Sequence, residues 1–396
     1  MNTKEKYLAV ERLHVPEWQT DQIQSANFDF VEYMRWLLMS DGRFNEIFKV
    51  ERKEIEHLRL NQSSLRSLLN TPFLMVAPTL TTVEDWRCFV ENTATTVAVD
   101  RLRDALPPVQ GIELFAIRNQ NQRFMTLASN LIHTSVLAAP LLGITPDVAD
   151  YLGSLRGSQI RLALGRIAGL PLFRWRFTST TFWYEFTADN LTDEAIAHQI
   201  MLTSPPDLAK PKKVPGFAEL RLDRWQKETF ASAMMAHGLR ASTASDVFTL
   251  NQSKMRARFF EIHGRSSTCG NQTRSLTWFV ESAAQRLHAT IYIWLYRKAI
   301  ARGANAPEAL IATHDIYARL FSSMPLISAD RAYNLTSSFA ADTRLTTAPC
   351  RSCSTPYIVS NSDVRVEMHH SFTCPACAQD LGPRRKRMRK SKDATE

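Results

Sequence analysis

Apolar residues recur three or four positions apart along most of the chain, a spacing that predicts helices rather than strands. In the first half "FVEYMRWLLM" leads to "ERKEIEHLRL" and "SSLRSLLN". "FMTLASNLIHTSVLAAPLL" leads in the same way to "TPDVADYLGSL" and "SQIRLALGRIAG". Thr145-Pro146-Asp147 reads as a helix start, with a capping hydroxyl and proline in the first helical position. Each series closes on a short extended piece, "FLMVAP" and "LFRWRF".

The two series look like copies. Sliding the chain by 97 residues brings Phe28, Phe30, Met34, Phe44, Ile47, Ile55 and Leu65 onto Met125, Leu127, Leu131, Leu141, Ile144, Leu152 and Leu162. Leu58-Arg59-x-x-Gln62 returns as Leu155-Arg156-x-x-Gln159. With two further residues allowed, Pro72, Thr79, Thr81 and Thr82 meet Pro171, Thr178, Thr180 and Thr181. Self-similarity at a fixed offset predicts a duplicated helical unit, with Pro107-Pro108 between the copies.

"SPPDLAKPKKVPG" has four prolines and little to bury, so 204–217 reads as a linker. Pro205-Pro206-Asp207 with nearby lysines faintly echoes a nuclease motif, but proline spoils the strand such a site needs. Beyond it, a helix through Met234 and Met235 reaches Gly238, a second covers about Ser242–Phe248, and Leu250-Asn251 breaks the pattern. A third helix, "QSKMRARFFEIHG", puts Met255, Phe259 and Ile262 on one face and leaves Lys254, Arg256, Arg258 and Arg265 to solvent. This is the layout of a helix-turn-helix, whose last helix can enter the major groove. A plain three-helix unit with a solvated basic face has the same pattern. Two long amphipathic helices follow, "LTWFVESAAQRLHATIYIWLYRKAIARGA" and "PEALIATHDIYARLFSSM", which read as core and partner surface.

Four of the six cysteines form two Cys-x-x-Cys pairs, Cys350/Cys353 and Cys374/Cys377. Each such turn can aim two sulfurs at one point, and two turns complete a tetrahedron around Zn²⁺. With four cysteine ligands the one ion per chain has no open position and is structural. Redox chemistry, or a site with His369 or His370 replacing one cysteine, stays open. "YIV" and "VRVEM" between the pairs read as a hairpin turning at "SNSD". Cys88 and Cys269 stand alone and read as ordinary residues, one buried and one in a loop.

Composition narrows the classes. Hydrophobic content of 44% and charged content of 22% suit a folded soluble protein. Glycine, 13 of 396 residues, is about half its usual ~7%, which argues against glycine-built phosphate loops. Net charge is +9, but "RRKRMRKSKDATE" holds seven basic and two acidic residues, so the body carries only +4. A concentrated basic tail suggests local contact with a polyanion. No signal peptide is visible, and "LIHTSVLAAPLLGI" is too short and broken to span a bilayer. A cytoplasmic protein with no membrane partner is expected.

The order "FFEIHG", "SLTWFV", "RLHATIYIWLYR" and "LTTAPCRSCSTPYIV…HSFTCPAC", then a basic tail, resembles FlhC, the zinc-bearing subunit of the bacterial flagellar master activator. The 120–186 segment, above all "LLGITPDVADYLGSLRGSQIRLALGRIAGLPLFRWRF", resembles the partner subunit FlhD, with the first repeat a more diverged copy. The family assembles four D-type and two C-type subunits on promoter DNA, so two chains of D-D-C composition would reproduce it as a homodimer. "RSSTCGNQTRS" lacks the proline–lysine–glycine run of FlhC, and the loop between the cysteine pairs is longer than usual, so the promoter need not be flagellar. Relatives also switch on conjugative-transfer genes. Contact with RNA polymerase is implied by the resemblance.

The expected fold is therefore mainly α: tandem helical FlhD-like repeats, a helix-turn-helix-containing helical domain and a small C-terminal four-cysteine zinc ribbon. The expected units are a diverged FlhD-like repeat (1–106), an FlhD-like repeat (109–203), the linker (204–217), an FlhC-like helical domain (218–340), the ribbon (341–383) and the basic tail (384–396). Candidate zinc ligands are Cys350, Cys353, Cys374 and Cys377. Candidate DNA contacts are Arg240, Lys254, Arg256, Arg258 and Arg265, with Arg384, Arg385, Lys386, Arg387 and Arg389 adding sequence-independent affinity. The rivals to a non-enzymatic, DNA-binding activator are a zinc-stabilised protein-interaction scaffold and a nucleic-acid-processing enzyme. The enzyme would need clustered carboxylates, and the chain carries no phosphate-loop, zinc-protease or serine-elbow motif.

Overall fold

The computed structural model describes residues 3–60, 62–188, 191–205, 217, 220–270, 275–341, 344–362 and 365–381. After α1 (Thr3–Leu8) come α2 (Glu17–Ser40), α3 (Asn45–Phe48), α4 (Arg52–Leu60), α5 (Gln62–Leu69), β1 (Val76–Pro78), α6 (Val83–Val90) and α7 (Val97–Asp104). The order then returns as α8 (Ile112–Thr134), α9 (Ala138–Leu142), α10 (Pro146–Ser154), α11 (Gly157–Ile167), β2 (Phe173–Trp175), α12 (Thr180–Thr187) and α13 (Asp193–Thr203). Matching hydroxyls start matching helices, since Thr82 and Ser179 cap α6 and α12 while Thr96 and Thr192 cap α7 and α13.

The two series pair with each other inside one chain. β1 and β2 run antiparallel with Ala77 opposite Arg174. Flanking them, Thr79 N–H donates to Leu172 O (2.8 Å) and Arg176 N–H to Met75 O (3.1 Å). α2 and α8 also lie antiparallel: Arg123 meets Asp29 at 2.5 Å, Gln19 meets Thr134 at one end and Ser40 meets Glu113 at the other. Two buried asparagines do the same work in each series. Asn27 donates to Phe73 O and accepts from Met75 N–H, while Asn121 donates to Leu170 O and accepts from Leu172 N–H. These pairings relate the series by an approximate twofold axis, and Phe30, Phe124 and Phe173 fill the core beside it, with ring centroids 4.4–6.1 Å apart.

The structural register corrects the one read from sequence. Asn27 and Asn121, or the left-handed Lys49 and Gly143, are offset by 94 residues, whereas the strands and the caps of α6 and α12 follow the offset of 97 and the caps of α7 and α13 one of 96. Phe30 therefore corresponds to Phe124 rather than Leu127. Leu58 lies within α4 whereas Leu155 follows α10, and Thr82 corresponds to Ser179 rather than Thr181. Three residues is nearly one helical turn, so a slip of three keeps apolar residues on the same face.

The second half is built on α18 (Ala283–Ala301) and α19 (Ala306–Leu320), which pack together. Around them lie α14 (Arg224–Ala236), α15 (Ala241–Phe248), α16 (Gln252–His263), the short α17 (Trp278–Glu281) and α20 (Ala329–Ala341). A three-stranded antiparallel sheet follows, β3 (Leu345–Pro349), β4 (Pro356–Ser362) and β5 (Arg365–Val366), in the order β3-β4-β5. The β4–β5 pair is the expected hairpin; β3, ahead of the first cysteine pair, is an additional strand.

Two segments at the expected unit boundaries make contacts with the second half. α1 packs on α14 and α16 of the second half, and His14 and Val15 N–H both bind Asp315 of α19. Residues 3–15 thus reach the second half, while Arg12 O accepts from Val136 N–H (3.0 Å) of the second repeat. The linker's Ser204 closes α13, and Pro205 O accepts from Lys298. Residues 206–216 of that linker lie outside the described residues.

Candidate metal centre and nucleic-acid interface

The four cysteines converge. Their sulfurs all lie within 4.8 Å of one another, and Cys353 Sγ is 3.7 Å from Cys374 Sγ. Zn–S bonds of ~2.3 Å in a tetrahedron give edges of ~3.8 Å, so the donor set fits that ion. The two turns are built alike: Ser354 N–H closes on Cys350 O (2.8 Å) and Ala378 N–H on Cys374 O (3.0 Å). Backbone N–H groups of Ser352 and Cys374 point at Cys350 Sγ, and that of Cys377 at Cys374 Sγ, at 3.3–3.4 Å. Burial raises the Cys350 thiol pKa, but these N–H donors outweigh it and leave the group below its ordinary value. The Cys353–Cys374 contact pulls Cys353 down strongly and pushes Cys374 up. Burial also pushes the Cys377 thiol up to about 12, so two of the four thiols favour the thiolate and the other two would need a bound cation to give up their protons. His369 and His370 sit exposed on a short turn, outside the cluster, with His369 beside Thr346 (3.3 Å). Cys88 is buried and Cys269 exposed.

The cluster is fixed to the helical core through β4. Arg286 of α18, almost fully buried, makes a two-pronged ion pair with Glu367 (2.7 and 2.8 Å) and lies over the Phe372 ring. Ile358 N–H donates to Thr290 on the same helix (3.1 Å). Shared planar geometry makes such an Arg–carboxylate pair directional as well as strong.

α14, α15 and α16 form the helix-turn-helix. Gly238 (φ +98°) and Thr249 (φ +54°) turn the chain, Asn251 caps α16, and Gly264 (φ +65°) ends it. Met255, Phe259 and Ile262 are buried, while Lys254, Arg256 and Arg265 are exposed. Phe260 stands 56% exposed one turn beyond Arg256, an unusual position for so apolar a side chain.

Two of the candidate contacts also have partners within the chain. Arg240 is held by Asp330 of α20 (3.4 Å) and donates to Gly270 O (2.9 Å). Arg258 donates to Tyr7 OH of α1 (2.6 Å), stacks 4.9 Å from that ring and pairs with Glu261. Both guanidiniums thus make contacts within the chain, and Arg258 is half-buried rather than left largely to solvent. The tail residues Arg384, Arg385, Lys386, Arg387 and Arg389 lie outside the described residues. Sequence reasoning also passed over Arg224 and Lys227 of α14, which with Thr249, Leu250 and Asn251 line a groove at the start of α16. Their signal was "DRWQK" ahead of the predicted helix, a basic pair one turn apart.

Among the described residues no helix is long and apolar enough to cross a membrane. No curated protein matches the chain. The stretch that carries both the helix-turn-helix and the four cysteines, residues 222–392, matches the family model of FlhC, the flagellar transcriptional activator, and in that second half the chain is FlhC-like.

Proposed function

We propose that this chain is a sequence-specific DNA-binding transcriptional activator that joins two FlhD-like units and one FlhC-like unit in tandem. The observation that carries the reading is the exposed basic face of α16, Lys254 and Arg256, within a helix-turn-helix inside the FlhC match. Entering the major groove, α16 would set Arg256 against a guanine edge and Phe260 against thymine methyls. Lys254, Arg265 and the groove residues Arg224 and Lys227 would meet phosphates, which position the helix without reading sequence. The basic tail would add salt-dependent affinity.

Cys350, Cys353, Cys374 and Cys377 would hold one zinc ion per chain. Bound there, zinc supplies a structural cross-link and no open coordination position. The units of the chain are proposed as 1–106, 109–203, 218–340 and 341–383, with residues 3–15 acting as a strap onto 218–340. Two chains would assemble as a homodimer of D-D-C composition, cytoplasmic, acting with RNA polymerase on flagellar or conjugative-transfer-type promoters. Tethering sets the effective concentration of the linked units at about millimolar, with no need for matched expression.

The test is metal analysis and sizing of the full chain, with and without the DNA upstream of its own gene. About one zinc per chain, a dimeric mass and a complex that weakens steeply with salt are expected. A zinc-bearing monomer that ignores DNA at low salt would replace this reading with a protein-interaction scaffold.

A further inference from the structure

α13 belongs by position to the second repeat, and Gln199 and Thr203 bond Ser179 and Arg176 there, yet other side chains of the helix reach the second half. Glu194 lies 3.6 Å from His288 of α18, and Ser323 donates to Asp193 (2.8 Å). One turn on, His198 is buried, with Nδ1 2.8 Å from the hydroxyl of Tyr357 in β4. The same imidazole comes within hydrogen-bonding reach of the Cys353 sulfur, and the Tyr357 hydroxyl within reach of Cys374. Tyr357 is itself fully buried. Two of the four sulfurs therefore meet polar groups on or next to a helix more than 150 residues earlier in the chain.

Four thiolates around a divalent cation leave a net charge of −2, and hydrogen-bond donors aimed at the sulfurs disperse it. Such outer partners orient ligands and raise metal affinity. Here one of them is supplied across the seam between two parts of the molecule. Any metal bound by the cysteines would strengthen the His198 contact, and by linkage that contact would tighten the metal by the same factor.

We propose that His198 is an outer-shell positioning residue of the metal centre, so that metal occupancy latches α13, and the second repeat with it, onto the second half. The latch rests on the metal-binding reading above. On that reading the ion does more than fold the ribbon: it reports to the helical repeats whether the ribbon is in place.

The experiment uses the full chain as wild type, His198→Ala and His198→Gln. Zinc affinity is read by competition with a chromogenic chelator, and amide hydrogen exchange is followed over 193–203 before and after chelation, with 17–40 as internal reference. The wild type should bind one zinc, and chelation should speed exchange in 193–203 while leaving 17–40 unchanged. His198→Ala should weaken zinc binding about ten- to hundredfold. His198→Gln, which keeps a donor of similar reach, should recover part of that loss. Unchanged affinity in both variants, or exchange in 193–203 indifferent to chelation, would overturn the latch while leaving the zinc site standing. A wild type that binds no zinc would overturn the metal reading itself, and the latch with it.

Discussion

α7 and α13 occupy corresponding places in the two repeats, each behind a threonine cap, and they share almost nothing else. α7 reads "VAVDRLRD" and buries only Val99, whereas α13 reads "DEAIAHQIMLT" and buries seven consecutive residues from Ala195 to Met201. Aligned on their caps, Asp100 and Asp104 stand where Ile196 and Ile200 stand. The approximate twofold axis makes the two faces geometrically equivalent, so the side chains decide which one docks the second half. A charged face would lose its hydration without gaining partners, while an apolar face gains by leaving water. Duplication supplied two surfaces; divergence kept one for docking and left the other for solvent.

The largest test of that asymmetry is Cys374→Ser, at one of the four proposed zinc ligands. Structural zinc in small domains is worth about 10–16 kcal/mol of apparent binding free energy. The variant should lose its zinc and unfold its second half well below the α2–α8 pair, giving two calorimetric transitions in place of one. Next come Ile196→Ala and Ile200→Ala, expected to lower stability by about 2–5 kcal/mol each. Asp100→Ala and Asp104→Ala should stay within about 0.5 kcal/mol. Urea unfolding compares the four directly, and equal losses on both helices would remove the asymmetry.

A smaller effect is expected where the repeats remain alike. Asn27→Ala and Asn121→Ala each strand buried backbone groups at about 1–3 kcal/mol per group, and they should cost similar amounts. A marked difference in their chemical-denaturation midpoints would contradict the twofold relation. Smaller still is a pH effect confined to the second half. Burial pushes His237 down to about 3 and His314 down to about 4, against an ordinary value of 6.5. The unfolded chain then binds protons that the folded one refuses. Stability from these two groups is full above pH ~6.5 and falls as pH drops toward 4. The α2–α8 pair contains no buried histidine, so melting followed against pH should show the second half weakening first.

The sequence made the helix-turn-helix and the cysteine cluster readable because their determinants are local. Gly238, Asn251 and Gly264 punctuate the helices, Met255, Phe259 and Ile262 mark one face, and Cys-x-x-Cys spacing aims its own sulfurs. The repeat offset was harder, since helical periodicity hides a slip of three. The pairing of β1 with β2 left no pattern to read: three residues per strand are too few for alternation to register. The fates of Arg240 and Arg258 depend on Asp330 and Tyr7, which lie 90 and 251 residues away in the chain. Nothing in "KMRARFFEIHG" distinguishes the arginine that α1 holds from the one left exposed.

The measurement that bears most directly on the account is the salt dependence of DNA affinity for the wild type and for Lys254→Ala/Arg256→Ala/Arg265→Ala. Arg101→Ala in α7 serves as the control on the face turned to solvent. The wild type should lose affinity steeply as salt rises, and the triple variant should bind more weakly with a slope reduced by about three. Its melting temperature should not change, and the Arg101 variant should match the wild type. A triple variant that keeps the wild-type slope, or a wild type with no salt-dependent affinity for DNA, would contradict the claim that α16 is the face this protein turns to nucleic acid.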